Sequence, residues 1–255
     1  MPSSIPDHEQ KIRDRFARET AGHEMAVLHD DGLYRHLRFT NPQYGGIYSF
    51  DLITWPGALA IRGDINEAYV FTRLTDMFEF FRSKRRRINP HYWSEKLDGD
   101  RARTQAYSMD LFDEEVAREL KVAEEDYPGI TAAWNAHVEA EFNTEYEDEA
   151  RRALDEFEFG EAYKAHCSEC GWQAGADDRT DAIRQAVRHR RDFGDMHVTS
   201  IENLAFTFTD TCEWDLRDFD WSFLWACHAI VDGIRRYDKV RAYGLSGLAT
   251  QGGAR

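Results

Sequence analysis

The sequence predicts an α+β fold: an antiparallel β-meander packed by helices, with an acidic helical arm and a small zinc-knuckle insert. Three observations predict it. Between residues 25 and 74 apolar side chains recur with period two, in short runs separated by turn residues. Between 110 and 161 the pattern turns helical and strongly acidic. Between them and the C-terminus lies HCSECGW (166–172), a Cys-x-x-Cys followed by glycine and an aromatic.

Residues 7–20 predict a short helix with Ile12 and Phe16 one turn apart. In the runs that follow, Leu33, Leu37 and Phe39 alternate with Tyr34, His36 and Arg38, and Tyr48, Phe50 and Leu52 with Ser49, Asp51 and Ile53. Leu59 with Ile61, and Tyr69 with Phe71, repeat the period. Turn chemistry separates the runs at Asp30-Asp31-Gly32, Asn41-Pro42, Trp55-Pro56-Gly57 and Gly63-Asp64. Parallel strands need crossover segments for which there is no room, so four or five antiparallel strands with one buried face are expected. Thr75-Asp76 predicts a cap for a short helix that lays Met77, Phe80 and Phe81 over the sheet. Residues 84–100 read as an aromatic-rich loop.

From Leu111 to about Phe159 the chain predicts helix, broken at Tyr127-Pro128-Gly129. Residues 204–211 (LAFTFTDT) alternate as a further strand would. Asp218 or Asp220 caps a last helix, WSFLWACHAIVDGIRRYDKV, apolar enough in its first half to belong in a core. The expected organisation is residues 1–109 as N-terminal helix plus meander, 110–162 as the acidic segment and 163–200 as the insert. Residues 201–243 complete the main domain, and 244–255 form a disordered tail.

Of 47 acidic residues, eighteen fall in 110–161 against four basic ones, a net of −14 out of −15 for the chain. Such a surface repels nucleic-acid backbone and suits a basic protein partner or simple solvation. No apolar run reaches the roughly 18 residues a bilayer span needs, and no secretory signal is visible at the start, so a cytoplasmic protein with no membrane partner is expected. Four cysteines in 255 residues make no disulfide framework.

Cys167 and Cys170, with His189 and His197, form the pattern Cys-x2-Cys-x18-His-x7-His. Thiolate and imidazole are the donors of structural zinc sites, which carry four protein ligands. Gly171 permits the knuckle turn. Thr180 is placed to cap the following helix, on which Ala182, Ala186 and His189 share one face, and Gly194 ends it. The order resembles Cys2His2 zinc fingers, with longer gaps, as in a variant finger or ribbon. His166 or Asp195 can replace either histidine, so the cysteines are the firmer half.

Weaker candidates are a second site from Cys212 with Cys227 and His228, the carboxylates Glu145, Glu147, Asp148 and Glu149, and the basic run 82–87. His36, Arg38 and Asp51 on the sheet face are the residues an enzyme would use. No phosphate-binding glycine loop, His-Glu-x-x-His or nucleophile-elbow motif is present.

The strings YRHLRF (34–39), FDLITWPGALAIRGD (50–64), YVFTRLTDMFEFFR (69–82), INPHYWSEKL (88–97) and FLWACHAIVDGIRRYD (223–238) together resemble a group of uncharacterised proteins of tailed bacteriophages and prophages. The likeness covers about half the chain, on both sides of the acidic and cysteine region. It implies a phage accessory protein made in the cytoplasm of a bacterial host, and no functional residue. The function expected is therefore a non-enzymatic, zinc-binding interaction protein acting on a host or phage protein. The alternatives are a nucleic-acid-binding factor using the basic helix 181–191, and an enzyme on the sheet face.

Overall fold

The computed structural model describes residues 5–82, 87–160, 163–176, 178–194 and 196–244. The expected tail beyond 244, most of the basic run 82–87 and the alternative ligand Asp195 lie outside them. The architecture is α+β, and the chain divides into two compact units: residues 1–106 with 217–255, and residues 107–216.

The first unit is built on β1 (Glu24–Asp31), β2 (Tyr34–Asn41), β3 (Gly45–Trp55), β4 (Ala58–Gly63) and β5 (Tyr69–Thr72), antiparallel and adjacent in chain order. The period-two residues Leu37, Phe39, Phe50, Leu52, Leu59, Ile61, Tyr69 and Phe71 are all buried on one face. Removing each such side chain from water contributes about 1.5–3 kcal/mol, so a slip of one residue, which would turn the whole set to solvent, is strongly disfavoured.

The last helix and two shorter ones build the core on that face. Helix α1 (Ile5–Glu19) buries Ile12 and Phe16. It packs against the last helix, whose Trp225 meets the Phe16 ring edge-on at 5.1 Å and donates its indole N–H to Glu19 at 2.8 Å. Helix α2 (Met77–Phe81) starts at Asp76, which accepts from the Phe78 N–H. Met77, Phe78 and Phe81 are buried, whereas Phe80, expected inside, is only partly so. The expected loop 84–100 contains a short helix, α3 (Pro90–Ser94), because Asn89 caps it and proline stands at its first turn.

β6 (Gln105–Tyr107) pairs with a later strand, Arg217–Phe219, where the chain leaves and re-enters the first unit. The second unit begins with α4 (Met109–Ala123), α5 (Ile130–Glu141) and α6 (Glu147–Glu156). Besides the expected break at Tyr127-Pro128-Gly129, the arm breaks again at 142–146, where Phe142 turns extended and Asn143 bonds the Glu145 N–H. The three helices close on Phe112, Leu120, Trp134, Leu154 and Phe157. Three more elements follow in this unit, β7 (Tyr163–Cys167), β8 (Gln173–Ala176) and α7 (Arg179–Phe193), and then β9 (Thr199–Asn203).

The strand expected at 204–211 does not form. Phe206 makes one bridge with Phe159 and packs with Phe208 into the helical core, so burial of the rings wins over strand pairing. Of residues 201–243, expected to complete the main domain, 201–216 belong to the second unit. β10 (Arg217–Phe219) then leads to α8 (Trp221–Ala242), capped by Asp220. Helix α8 crosses the sheet so closely that a Cβ at Gly233 would lie 2.5 Å from Leu52 and 3.0 Å from Phe39. Any side chain at 233 would have to push the ends of Leu52 and Phe39 aside.

Candidate metal centre

The centre is assembled on a three-stranded sheet, ordered β8-β7-β9, with α7 packed on it. Alternation along β7 buries Ala165 and Cys167 on the helix side and turns His166 to the other face, where it meets the Ser200 hydroxyl at 3.0 Å. His166 therefore does not reach the cluster. After Cys167 the chain folds back: Gly171 N–H donates to the Cys167 carbonyl at 3.1 Å, and Cys167 N–H to the Trp172 carbonyl at 2.8 Å. Gly171 sits at φ +72°, which glycine adopts without strain. This knuckle brings the Cys170 sulfur back beside Cys167.

Helix α7 supplies the third donor. Its cap is Asp178, which accepts from the Asp181 N–H at 2.8 Å, not Thr180 as the spacing suggests; the helix starts two residues earlier. Ala182, Ala186 and His189 are buried on one stripe, the small residues letting the helix approach the sheet. Gly194 terminates it with its N–H on the Arg190 carbonyl, and His197 turns back with its own N–H on the Gly194 carbonyl. Ser168 N–H holds the returning strand through the Val198 carbonyl at 3.1 Å.

The four donor atoms lie within 4.8 Å of one another. Cys167 Sγ is 3.5 Å from His197 Nδ1, Cys170 Sγ is 3.4 Å from His189 Nε2, and the two ring nitrogens are 3.2 Å apart. Two imidazole nitrogens and two thiols turned inward on one point can hold a metal ion. Cys167 and His189 are buried, His197 half-buried, and Cys170 exposed. The His189 ring is clamped between Trp172 (4.3 Å, 11° between planes) and Phe193 (4.9 Å, 29°). Of these two aromatics the sequence pattern marks Trp172, as the aromatic after the knuckle glycine, and Phe193 was missed. The i, i+4 spacing of His189 and Phe193 is the signal that marks it.

The other candidates gather no comparable set. Among the described residues no other group of three or more such donors comes together. Cys212 is exposed in the second unit, while Cys227 is fully buried in α8 of the first, its thiol pushed up by burial. His228 is pushed down to about 4, mainly by burial and then by Arg13. Glu147 and Glu149 pair with Arg151 and Arg152 along α6. On the sheet face, Arg38 grips Asp51 with two bonds of 2.8 and 2.9 Å, and His36 Nε2 approaches the same carboxylate at 3.4 Å without a hydrogen bond. Burial alone would raise Asp51, but Arg38 and then His36 hold it below its usual value.

Comparison with protein-family models, with curated proteins and with solved structures finds no match to this chain, so the likeness to phage proteins rests on the quoted strings alone.

Proposed function

We propose that the chain is a non-catalytic interaction protein whose second unit is held by a structural zinc ion and offers an acidic surface to a basic host or phage protein. The observation that carries the zinc reading is the spacing of the donors. Bond lengths of about 2.3 Å to sulfur and 2.0 Å to nitrogen put tetrahedral corners about 3.5 Å apart for a sulfur–nitrogen pair and about 3.3 Å for two nitrogens. Three of the six donor separations are 3.5, 3.4 and 3.2 Å, and all six lie within 4.8 Å. Four protein donors leave no open position for a water or substrate, which fits a structural ion.

The acidic surface supports the interaction reading. Arg118, Arg151 and Arg152 pair with glutamates of their own helices, which leaves the net −14 of 110–161 facing outward largely uncompensated. No described helix is long and apolar enough to cross a membrane. The test is capture of partners from nuclease-treated bacterial lysate by the tagged chain and by a variant with six of these carboxylates made amides. Loss of a specific basic protein with the variant is expected; unchanged capture would sink the reading.

A second reading is favoured by one observation. Arg184, Arg188, Arg190 and Arg191 are all exposed on α7, as phosphate contacts require. It predicts salt-dependent retention on DNA or RNA that weakens in Arg188→Ala/Arg191→Ala. Absence of retention at low salt removes it.

A further inference from the structure

The face of the five-stranded sheet opposite α8 carries a row of charge across three strands. Asp51 on β3 stands opposite Arg38 on β2 and Arg62 on β4. Cross-strand neighbours of opposite sign attract, yet one carboxylate cannot serve two guanidinium groups fully. Arg38 takes both oxygens of Asp51. Arg62 is exposed and has no carboxylate at ion-pair distance among the described residues. One positive charge in the row is left without a partner.

That row is the floor of a groove of about 510 Å³, walled by the β2–β3 turn and lined by Thr40, Asn41, Ser49 and Asp64. Sites for small molecules occupy roughly 300–1,000 Å³. Its rim is built with care for shape. Between the pairs Phe39–Phe50 and Asn41–Gly45, β3 spends more residues than β2, so residues 46–49 bulge. Tyr48 sits there at φ +53°, unusual for a bulky residue. Three bonds brace it: Tyr48 N–H to Asp64 Oδ2 at 2.9 Å, Asp64 N–H to the Ser49 carbonyl at 2.8 Å, and His23 Nε2 to the Tyr48 carbonyl at 3.1 Å. A strained, braced rim beside a polar groove is a preorganised arrangement.

The charges decide the class of ligand. Asp51 is neutralised by Arg38; Asp64 keeps its charge, with one oxygen accepting from the Tyr48 amide and the other open to ligand hydroxyls, and Arg62, with no carboxylate at ion-pair distance among the described residues, is the group placed to receive an anion. The remaining lining consists of hydroxyl, amide and carboxylate groups that suit ligand hydroxyls. We infer that this groove binds a small polyhydroxylated anion of the sugar-phosphate class, with Arg62 on the phosphate and Asn41, Ser49 and Asp64 on the hydroxyls. The site belongs to the first unit and does not depend on the metal centre.

The test is a titration of the full chain, labelled with ¹⁵N, with ribose 5-phosphate, ribose and inorganic phosphate. Ribose 5-phosphate is expected to shift the amides of Gly45, Gly46 and Ser49. Arg62→Ala, a change at an exposed side chain that leaves the rest of the spectrum in place, should weaken binding by about tenfold or more, the effect of losing a charge-assisted bond. Ser49→Ala should weaken it less, and ribose and phosphate alone should each bind about tenfold more weakly. Unmoved groove amides, undiminished binding in Arg62→Ala, or phosphate alone binding as well as the sugar phosphate would each overturn the inference.

Discussion

His189 carries two duties, metal donor and filler of an aromatic stack. Its Nε2 faces the cluster while Trp172 and Phe193 cover both faces of the ring, so the donor is oriented before any ion arrives. Partners that orient a ligand typically change metal affinity by about 10–100-fold when removed. Trp172→Ala is therefore expected to raise the zinc dissociation constant by about tenfold, read by competition with a chromogenic chelator. Another residue sets a pH response. His228 is buried against Phe16 and pushed down to about 4, against about 6.5 in an unfolded chain. The unfolded state then binds more protons between those values, so stability is full above pH 6.5 and falls as pH drops toward 4, by about 3 kcal/mol. Urea midpoints at a series of pH values should show the slope, and His228→Leu should flatten it. Cys167, Cys170, His189 and His197 could be read from the sequence because residue type and spacing carry the chemistry. Arg62 could not, because its lack of a partner depends on Arg38 winning Asp51.

At the level of elements, α8 and β3 are matched by a single missing side chain. Adding a methyl at Gly233 gains about 1 kcal/mol in helix propensity but drives a Cβ into Leu52 and Phe39. Overpacking costs about 1–3 kcal/mol, so Gly233→Ala should lower stability by about 1 kcal/mol in chemical denaturation, while Gly233→Val should do worse. Asp76 joins two elements: it caps α2 and holds the buried Arg35 of β2 by two bonds of 2.8 and 3.1 Å. Asp76→Ala leaves that guanidinium unpaired, and a loss of about 3 kcal/mol is expected in the same assay. The strands were legible because one face is dry and the period cannot be mistaken. The aromatic run 204–211 misled because Phe206 and Phe208 alternate like a strand yet pack, partly buried, against a helical core. Periodicity records which residues are buried, not what buries them.

For the whole molecule, each unit has its own apolar core. Heat or denaturant should therefore give more than one transition, and metal removal should lower only the one belonging to the second unit. The division of the chain was only partly legible: the acidic segment and the cysteine module announce themselves by composition, but where the chain returns to the first unit is decided by the pairing at Arg217–Phe219. The measurement that tests the central claim most directly is the metal content of the intact chain by native mass spectrometry, purified without added metal, beside Cys167→Ser. One zinc per chain, absent from the variant together with the second unit's transition, is the result this account predicts. A metal-free chain whose second unit unfolds at the same midpoint as the variant's would contradict it.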